Sequence, residues 1–238
     1  MKKIYFLSDA HLGIESQEHE SHKEKQLLSF FRHLENHADT LYILGDLFDF
    51  WFDYRWVIPR HYLNIISALK RLTEHGVKVI YCIGNHDFWL GNFFNDDLNI
   101  EVHREPIQME MDGHRFYIGH GDGINKKDIG YLFLKAILRS PITALACRLM
   151  HPDLTFSLAR WFSSISRKHR ADLDHREPYI NFAKELFQEG CQFVVFGHTH
   201  DPMTLHLNGC TYINTGDWIN HFTYAVYSKD SLKLEKWT

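Results

Sequence analysis

Five short segments of this chain each end an apolar run in side chains that bind metal ions. They are Asp9-Ala10-His11, Gly45-Asp46-Leu47-Phe48-Asp49, Gly84-Asn85-His86-Asp87, Gly119-His120-Gly121-Asp122 and Gly197-His198-Thr199-His200. Carboxylate, amide and imidazole donors without a thiolate suit Mn²⁺, Fe²⁺ or Zn²⁺. One segment alone carries little weight: taken singly, Asp9 reads better as a strand-end cap and Asp46 as a turn residue than as ligands, and His198 and His200 read as ordinary polar loop residues. Five in order, each after a strand-like stretch, describe a single site built by the whole fold. The chemistry that fits is hydrolysis of a phosphate ester or anhydride by two metal ions, which at about 3.5–4 Å apart activate a water and clamp the phosphoryl oxygens.

The elements that must bring these donors together are legible as short runs rich in β-branched and aromatic residues, at 4–7, 41–44, 77–83, 116–118 and 193–196. Nearly continuous apolar runs suit strands covered on both faces. Between them, Leu27, Phe30, Phe31 and Leu34 share one helical face, as do Ile65, Ile66, Leu69 and Leu72, with Gly76 placed to end that helix. Strand–helix alternation predicts an α/β fold with sites beyond the carboxyl ends of the strands, where all five motifs fall. The glycines preceding Asp46, Asn85, His120 and His198 permit tight turns and close backbone approach. Asp112-Gly113 and Asn208-Gly209 predict two-residue hairpins, and further strands are expected at 224–227 and 232–237. The expected architecture is two packed, mixed β-sheets flanked by helices, in one domain spanning residues 1–238.

The chain has 238 residues, is 45% hydrophobic and carries a net charge of −4, which argues against a general nucleic-acid binder. Its four cysteines show no CxxC spacing and no disulfide framework. With no leader-like opening segment, the expectation is a reducing cytoplasm.

Charge is unevenly distributed. From Lys126 to Arg170 nine Lys and Arg stand against Asp128 and Asp153, a net +7, which leaves −11 on the remainder. The same stretch is apolar. Ser140-Pro141 reads as a helix start, and Pro152-Asp153 as another, followed by Leu154, Leu158, Trp161, Phe162 and Ile165 on one face. Apolar helices bearing Lys and Arg suit an anionic membrane surface or an acyl-chain substrate. The alternative is a helical cap that completes the core. No apolar run approaches the roughly 18 residues of a membrane span.

The five motifs together closely resemble the calcineurin-like metallophosphoesterases, whose pattern D-x-H, G-D-x-x-D, G-N-H-D/E, a later His and G-H-x-H stands intact here. The resemblance implies two divalent ions, Mn²⁺ first, with Fe²⁺ or Zn²⁺ as alternatives. Asp9, His11, Asp46 and His200 would hold one; Asp46, Asn85, His120 and His198 would hold the other, with Asp46 bridging. It gives His86 the role of stabilising the transition state or protonating the leaving group, and Asp49 and Asp87 that of orienting imidazoles. A basic, apolar helical insertion at 123–175, Trp51 behind the second motif, Asp128, and Gly216-Asp217-Trp218 are similar to the UDP-2,3-diacylglucosamine diphosphatases of lipid A synthesis. That likeness implies a lid over acyl chains in which Trp161 and Phe162 contact substrate, a glucosamine contact from Asp128, a lipid-linked nucleotide sugar as substrate, and a peripheral position on the inner face of the cytoplasmic membrane. Oligomeric state is left open. His86 departs from those enzymes, which commonly carry Arg there. Two other readings therefore stand beside this one: a phosphoesterase acting on another nucleotide-linked or phospholipid substrate, and a membrane-surface binding protein without turnover.

Overall fold

A computed structural model describes residues 3–13, 16–126, 135–168 and 176–238, without the side chains of 162 and 164–168. Two mixed sheets pack face to face. The first has six strands in the order β11-β10-β1-β2-β3-β4: β1 (Ile4–Leu7), β2 (Thr40–Ile43), β3 (Lys78–Cys82) and β4 (Glu101–His103) run parallel, and β10 (Thr223–Ser228) and β11 (Ser231–Lys236) extend the sheet antiparallel. The second has the order β5-β6-β7-β9-β8. There β6 (His114–Ile118), β7 (Phe193–Phe196) and β9 (Cys210–Asn214) are parallel, and β5 (Ile107–Met111) and β8 (Met203–Leu207) flank them antiparallel.

Alternation along each strand explains the apolar runs. Ile4, Phe6, Tyr42, Leu44 and Ile80 face the second sheet, meeting Phe116, Ile118, Phe193, Val195 and Ile213. Tyr5, Leu7, Leu41, Ile43 and Val79 face the other way, onto α1 (Gln17–His37) and α2 (Leu63–Glu74). The predicted helical faces, Leu27 to Leu34 and Ile65 to Leu72, are the ones buried there. The outer face of the second sheet receives α6 (Arg176–Gln188) through Tyr179, Ala183 and Leu186. A short helix α3 (Asn92–Asp96) follows the third motif, and α4 (Pro141–Leu149) and α5 (Pro152–Lys168) form the helical segment before α6.

Local signals are met in detail. Gly76, at φ 87°, closes α2: its N–H donates to Thr73 O and that of Val77 to Leu72 O, the paired pattern of a left-handed helix end. Asp112-Gly113 and Asn208-Gly209 turn β5 into β6 and β8 into β9, all four residues at positive φ. Ser140 caps α4, its Oγ accepting from Thr143 N at 3.2 Å, with Pro141 as the first helical residue. No helix among the described residues is long and apolar enough to cross a membrane.

One helix contact was not predicted. Lys23 of α1 is buried, and its Nζ donates to the carbonyl of His11 at 2.9 Å and pairs with Glu20 at 2.9 Å. Glu20 in turn accepts from Gly13 N at 3.0 Å. The loop after β1 is thus pinned to α1 by a buried charge. Lys23→Met keeps the aliphatic bulk and removes the donor. It should lower the unfolding free energy by about 1.5–3 kcal/mol, the scale of a hydrogen bond to a charged group, as read from urea melts; an unchanged midpoint would show that the loop holds itself.

Candidate metal centre

Parallel strands of both sheets end at the same edge of the sandwich. The loops after β1, β2 and β3 carry Asp9 and His11, Asp46 and Asp49, and Asn85 to Asp87; those after β6 and β7 carry His120, His198 and His200. Backbone hydrogen bonds join the first two loops, from Asp9 N to Gly45 O (3.2 Å), His11 N to Asp46 O (2.9 Å) and Leu12 N to Leu47 O (3.0 Å). Asp9, His11, Asp46, His198 and His200 all hold left-handed backbone conformations, with φ from 42° to 69°. Such conformations cost about 1–2 kcal/mol per residue and persist where surrounding structure fixes them, often at functional sites.

The two central carboxylates are each half satisfied. Asp9 Oδ2 accepts from His198 N and Asp46 Oδ1 from His86 N, both at 2.8 Å. Their other oxygens, Asp9 Oδ1 and Asp46 Oδ2, are buried without a hydrogen-bond partner, as is His11 Nε2. These atoms face one another and the remaining imidazoles. His11 Nε2 lies 3.6 Å from both oxygens, His200 Nε2 3.4 Å from Asp9 Oδ1, and His120 Nε2 3.3 Å from Asp46 Oδ2. His120 Nδ1 donates to Leu44 O at 2.6 Å, which leaves Nε2 for the centre, 3.1 Å from Asn85 Oδ1 and 3.1 Å from His198 Nδ1. The donors fall into groups compact enough for an ion: Asp9, His11 and His200 in one, Asp46, His120 and His198 in another. Orphaned oxygens and ring nitrogens converging in a buried space fit divalent cations, with Asp46 between the two groups.

Electrostatics express the same need. Burial alone would raise the Asp46 carboxyl, but the nearby imidazoles of His120, His86 and His11 hold it well below the usual range. Burial would lower His11, yet Asp49, Asp9 and Asp46 push it up to about 9; His120, facing Asp46 first, is pushed up to about 10. Each carboxylate and the imidazoles facing it favour one another's charged forms.

The neighbouring residues differ in what they hold. Asp49 reaches two imidazoles, His11 Nδ1 at 3.4 Å and His86 Nδ1 at 3.2 Å, and accepts from Ser163 Oγ of α5 at 2.8 Å. Asp87 touches no imidazole, contrary to expectation. It accepts from Leu47 N (3.0 Å), Gly84 N (2.8 Å) and the Tyr81 hydroxyl, and so ties the second motif loop to the third. Its burial beside Asp46 pushes its carboxyl up to about 6. His86 packs edge-on against His11 with ring centroids 4.6 Å apart; its ring also forms a compact group with His11 and Asp46.

Gly45 and Gly84 show why these loops tolerate no side chain. A Cβ on Gly45, at φ 84°, would meet Gly84 Cα at 2.6 Å, and one on Gly84 would fall 2.0 Å from Asp46 Oδ1. Two residues escaped prediction as parts of the site. Asp217, after β9, accepts from the backbone N–H of Ile219, Asn220 and His221 and lies 3.8 Å from His200 Nδ1. Arg139 donates to Gly84 O at 3.3 Å and to Asp122 Oδ2 at 3.2 Å. For Asp217 the signal was present: another Gly-Asp pair directly after a strand. Asp128 lies outside the described residues, as does the Phe162 side chain. Trp161 is 57% exposed.

Comparison with known proteins agrees with this architecture. Residues 2–202 match the calcineurin-like phosphoesterase family. A UDP-2,3-diacylglucosamine hydrolase of Porphyromonas gingivalis is 32% identical, covering 98% of this chain and 97% of its own. Hydrolases of the same name from Aeromonas salmonicida (30% identical, 98% and 92% covered) and Haemophilus ducreyi (31%, 92% and 92%) are also similar. Among solved structures, an archaeal phosphodiesterase superposes with a TM-score of 0.51 at 14% identity, over 98% of both chains, a likeness of fold. The chain therefore belongs to the calcineurin-like phosphoesterase family, metal-dependent hydrolases of phosphate esters.

Proposed function

We propose that this protein hydrolyses UDP-2,3-diacylglucosamine to UMP and the lipid 1-phosphate, as a peripheral enzyme on the inner face of the cytoplasmic membrane. The observation that carries the reading is an apolar groove of about 280 Å³ that opens onto the cluster. It shares Asp49, Asn85 and His86 with the site and is walled by Phe50, Phe88, Trp89, Leu138 and Leu158, among others. A narrow apolar slot beside phosphate-cleaving groups suits an acyl chain.

The helical segment supports the same reading. We read the described helices of this segment, α4 and α5, as a lid: α4 buries none of its residues, and Ile142, Leu145 and Leu149 are exposed, while Leu138 and Phe156 anchor the segment on the core. Trp56 is 84% exposed beside Val57 and Ile58, with Arg55 over its ring, and Tyr54 OH donates to Cys147 O, which joins this loop to α4. Exposed aromatic and aliphatic side chains among arginines suit an anionic bilayer. Within the lid, Leu158 and Ala159 line the groove and Trp161 does not, so Leu158 is the better acyl contact. Asp128 keeps its proposed glucosamine contact by resemblance alone.

The roles divide among the clustered residues. Asp9, His11, Asp46 and His200 hold one ion, and Asp46, Asn85, His120 and His198 the other, with Mn²⁺ the favoured metal. When bound, such ions neutralise charge on the phosphoryl oxygens and acidify the attacking water. Asp49 accepts from His11 and His86 and fixes both rings. With Nδ1 on the carbonyl of Asp49 at 3.0 Å, His86 has its other nitrogen for the leaving group. A bond forms between water oxygen and the α-phosphorus, the bond to the bridging oxygen breaks, and His86 delivers the proton to that oxygen.

Manganese-loaded protein given the diacylated nucleotide sugar should release UMP and lipid 1-phosphate in equal amounts. Turnover of an aryl phosphodiester without UMP release would leave only the family assignment. His86→Ala should lower kcat by ~10²–10⁴ with metal content unchanged in elemental analysis; full activity on a poor leaving group would remove it from the mechanism. Gly84→Ala should strip the metals, because its Cβ displaces Asp46; retained metal would show that the loop can yield. Leu158→Glu should harm the diacylated substrate far more than an aryl phosphodiester, whereas equal losses with a lower Tm would mark Leu158 as a packing residue.

A further inference from the structure

Two cavities flank the ligand cluster, and they differ in chemistry. The apolar groove lies on the Asn85–His86 side. On the His120 side a larger cavity, about 710 Å³, opens between the end of β4 and α6. Its size falls within the roughly 300–1,000 Å³ of small-molecule sites. One wall is a single stripe of α6, Glu177, Asn181 and Glu185, with Phe182 beside it. Side chains four apart share a helix face, and the other face of this helix, Tyr179, Ala183 and Leu186, packs on the second sheet. Among the described residues, the side chains of Glu177, Asn181 and Glu185 make no hydrogen bond or ion pair. Lys135 and Arg139 line both cavities. Both are held by Asp122, at 2.5 Å from Lys135 Nζ and 3.2 Å from Arg139 Nη2.

We infer that the larger cavity receives the uridine monophosphate half of the substrate, its nucleoside against the Glu177–Asn181–Glu185 stripe and its phosphate towards Lys135 and Arg139. The inference rests on the function proposed above. A substrate that is apolar at one end, a nucleoside at the other and a diphosphate between needs two unlike walls meeting at the cleavage centre, and the two cavities provide them. An acyl chain against the α6 stripe would desolvate two carboxylates without compensation. A nucleoside satisfies them: ribose hydroxyls donate to carboxylates, and the Asn181 amide, donor and acceptor at once, matches the N3–H and O4 edge of uracil. Phe182 supplies a ring surface alongside. At the junction, an ammonium and a guanidinium suit phosphate oxygens.

The test measures binding apart from turnover. UMP is titrated into the full-length, manganese-loaded protein by calorimetry, and lipid 1-phosphate in micelles is titrated separately. Asn181→Leu and Glu185→Leu, both at exposed helix positions, should each weaken UMP binding about tenfold, the worth of one good hydrogen bond, and leave lipid 1-phosphate affinity as it was. UMP affinity unchanged in both variants would overturn the assignment, as would equal weakening of both ligands. Failure of UMP release from the diacylated sugar by the unaltered protein would sink the proposed function instead; the binding result still judges the cavity.

Discussion

The site depends on placing two carboxylates, Asp9 and Asp46, where water cannot reach them. Each is fully buried and each gives one oxygen to a backbone amide, of His198 and His86 respectively. That arrangement fixes the direction of the second oxygen and denies it a partner. A buried anion left so is costly unless positive charge is brought to it. Protonated imidazoles can supply that charge, and divalent ions supply it with more charge per position. The unpaired oxygens therefore act as a demand built into the fold, and the left-handed backbone at five donor residues shows how strongly surrounding structure enforces it.

The sandwich meets this demand through its topology. Three parallel strands of one sheet and two of the other deliver their loops to one edge, so donors from residue 9 to residue 200 converge. Buried struts then keep the loops in register. Lys23 holds the first loop to α1, and Asp87 with Tyr81 holds the second loop to the third. Neither makes a short contact to the centre, yet each limits how far a donor can drift. Discrimination among ions depends on such rigidity, since a loose set of oxygens and imidazoles accepts many cations.

Much of this was legible in sequence because it is local. The strand runs, both Asx-Gly hairpins, the Gly76 helix end and the Ser140-Pro141 start each rest on residues adjacent in the chain. What stayed hidden was tertiary. No pattern in α1 distinguishes Lys23 from its exposed neighbours; only the position of His11 O makes it buried. Asp87 stands beside a candidate ligand, and adjacency suggested an imidazole partner, but its side chain turns back to amides of two loops. Trp161 lies on the apolar face of α5 by periodicity, yet the groove is walled by Leu158 and Ala159, since a helix that bridges two environments need not turn its whole apolar stripe inward. Asp217 could have been read from its Gly-Asp grammar, but it follows a strand whose parallel pairing with β7 is non-sequential.

The basic character of residues 126–170 also takes on more than one meaning. Read as a sum, its +7 suggests a uniform face for anionic lipid. Among the described residues the charges separate. Lys135 and Arg139 turn inward to Asp122 at the junction of the two cavities, and Arg139 further reaches the carbonyl of Gly84 behind Asp46. Arg148 and Arg160 are exposed near the apolar residues of α4 and α5. A salt bridge held within a partly enclosed cavity is screened less by added salt than charges on an open helix. Under the function proposed above, the inward pair would meet phosphate within a cavity, while the outward pair would lie open to a charged surface.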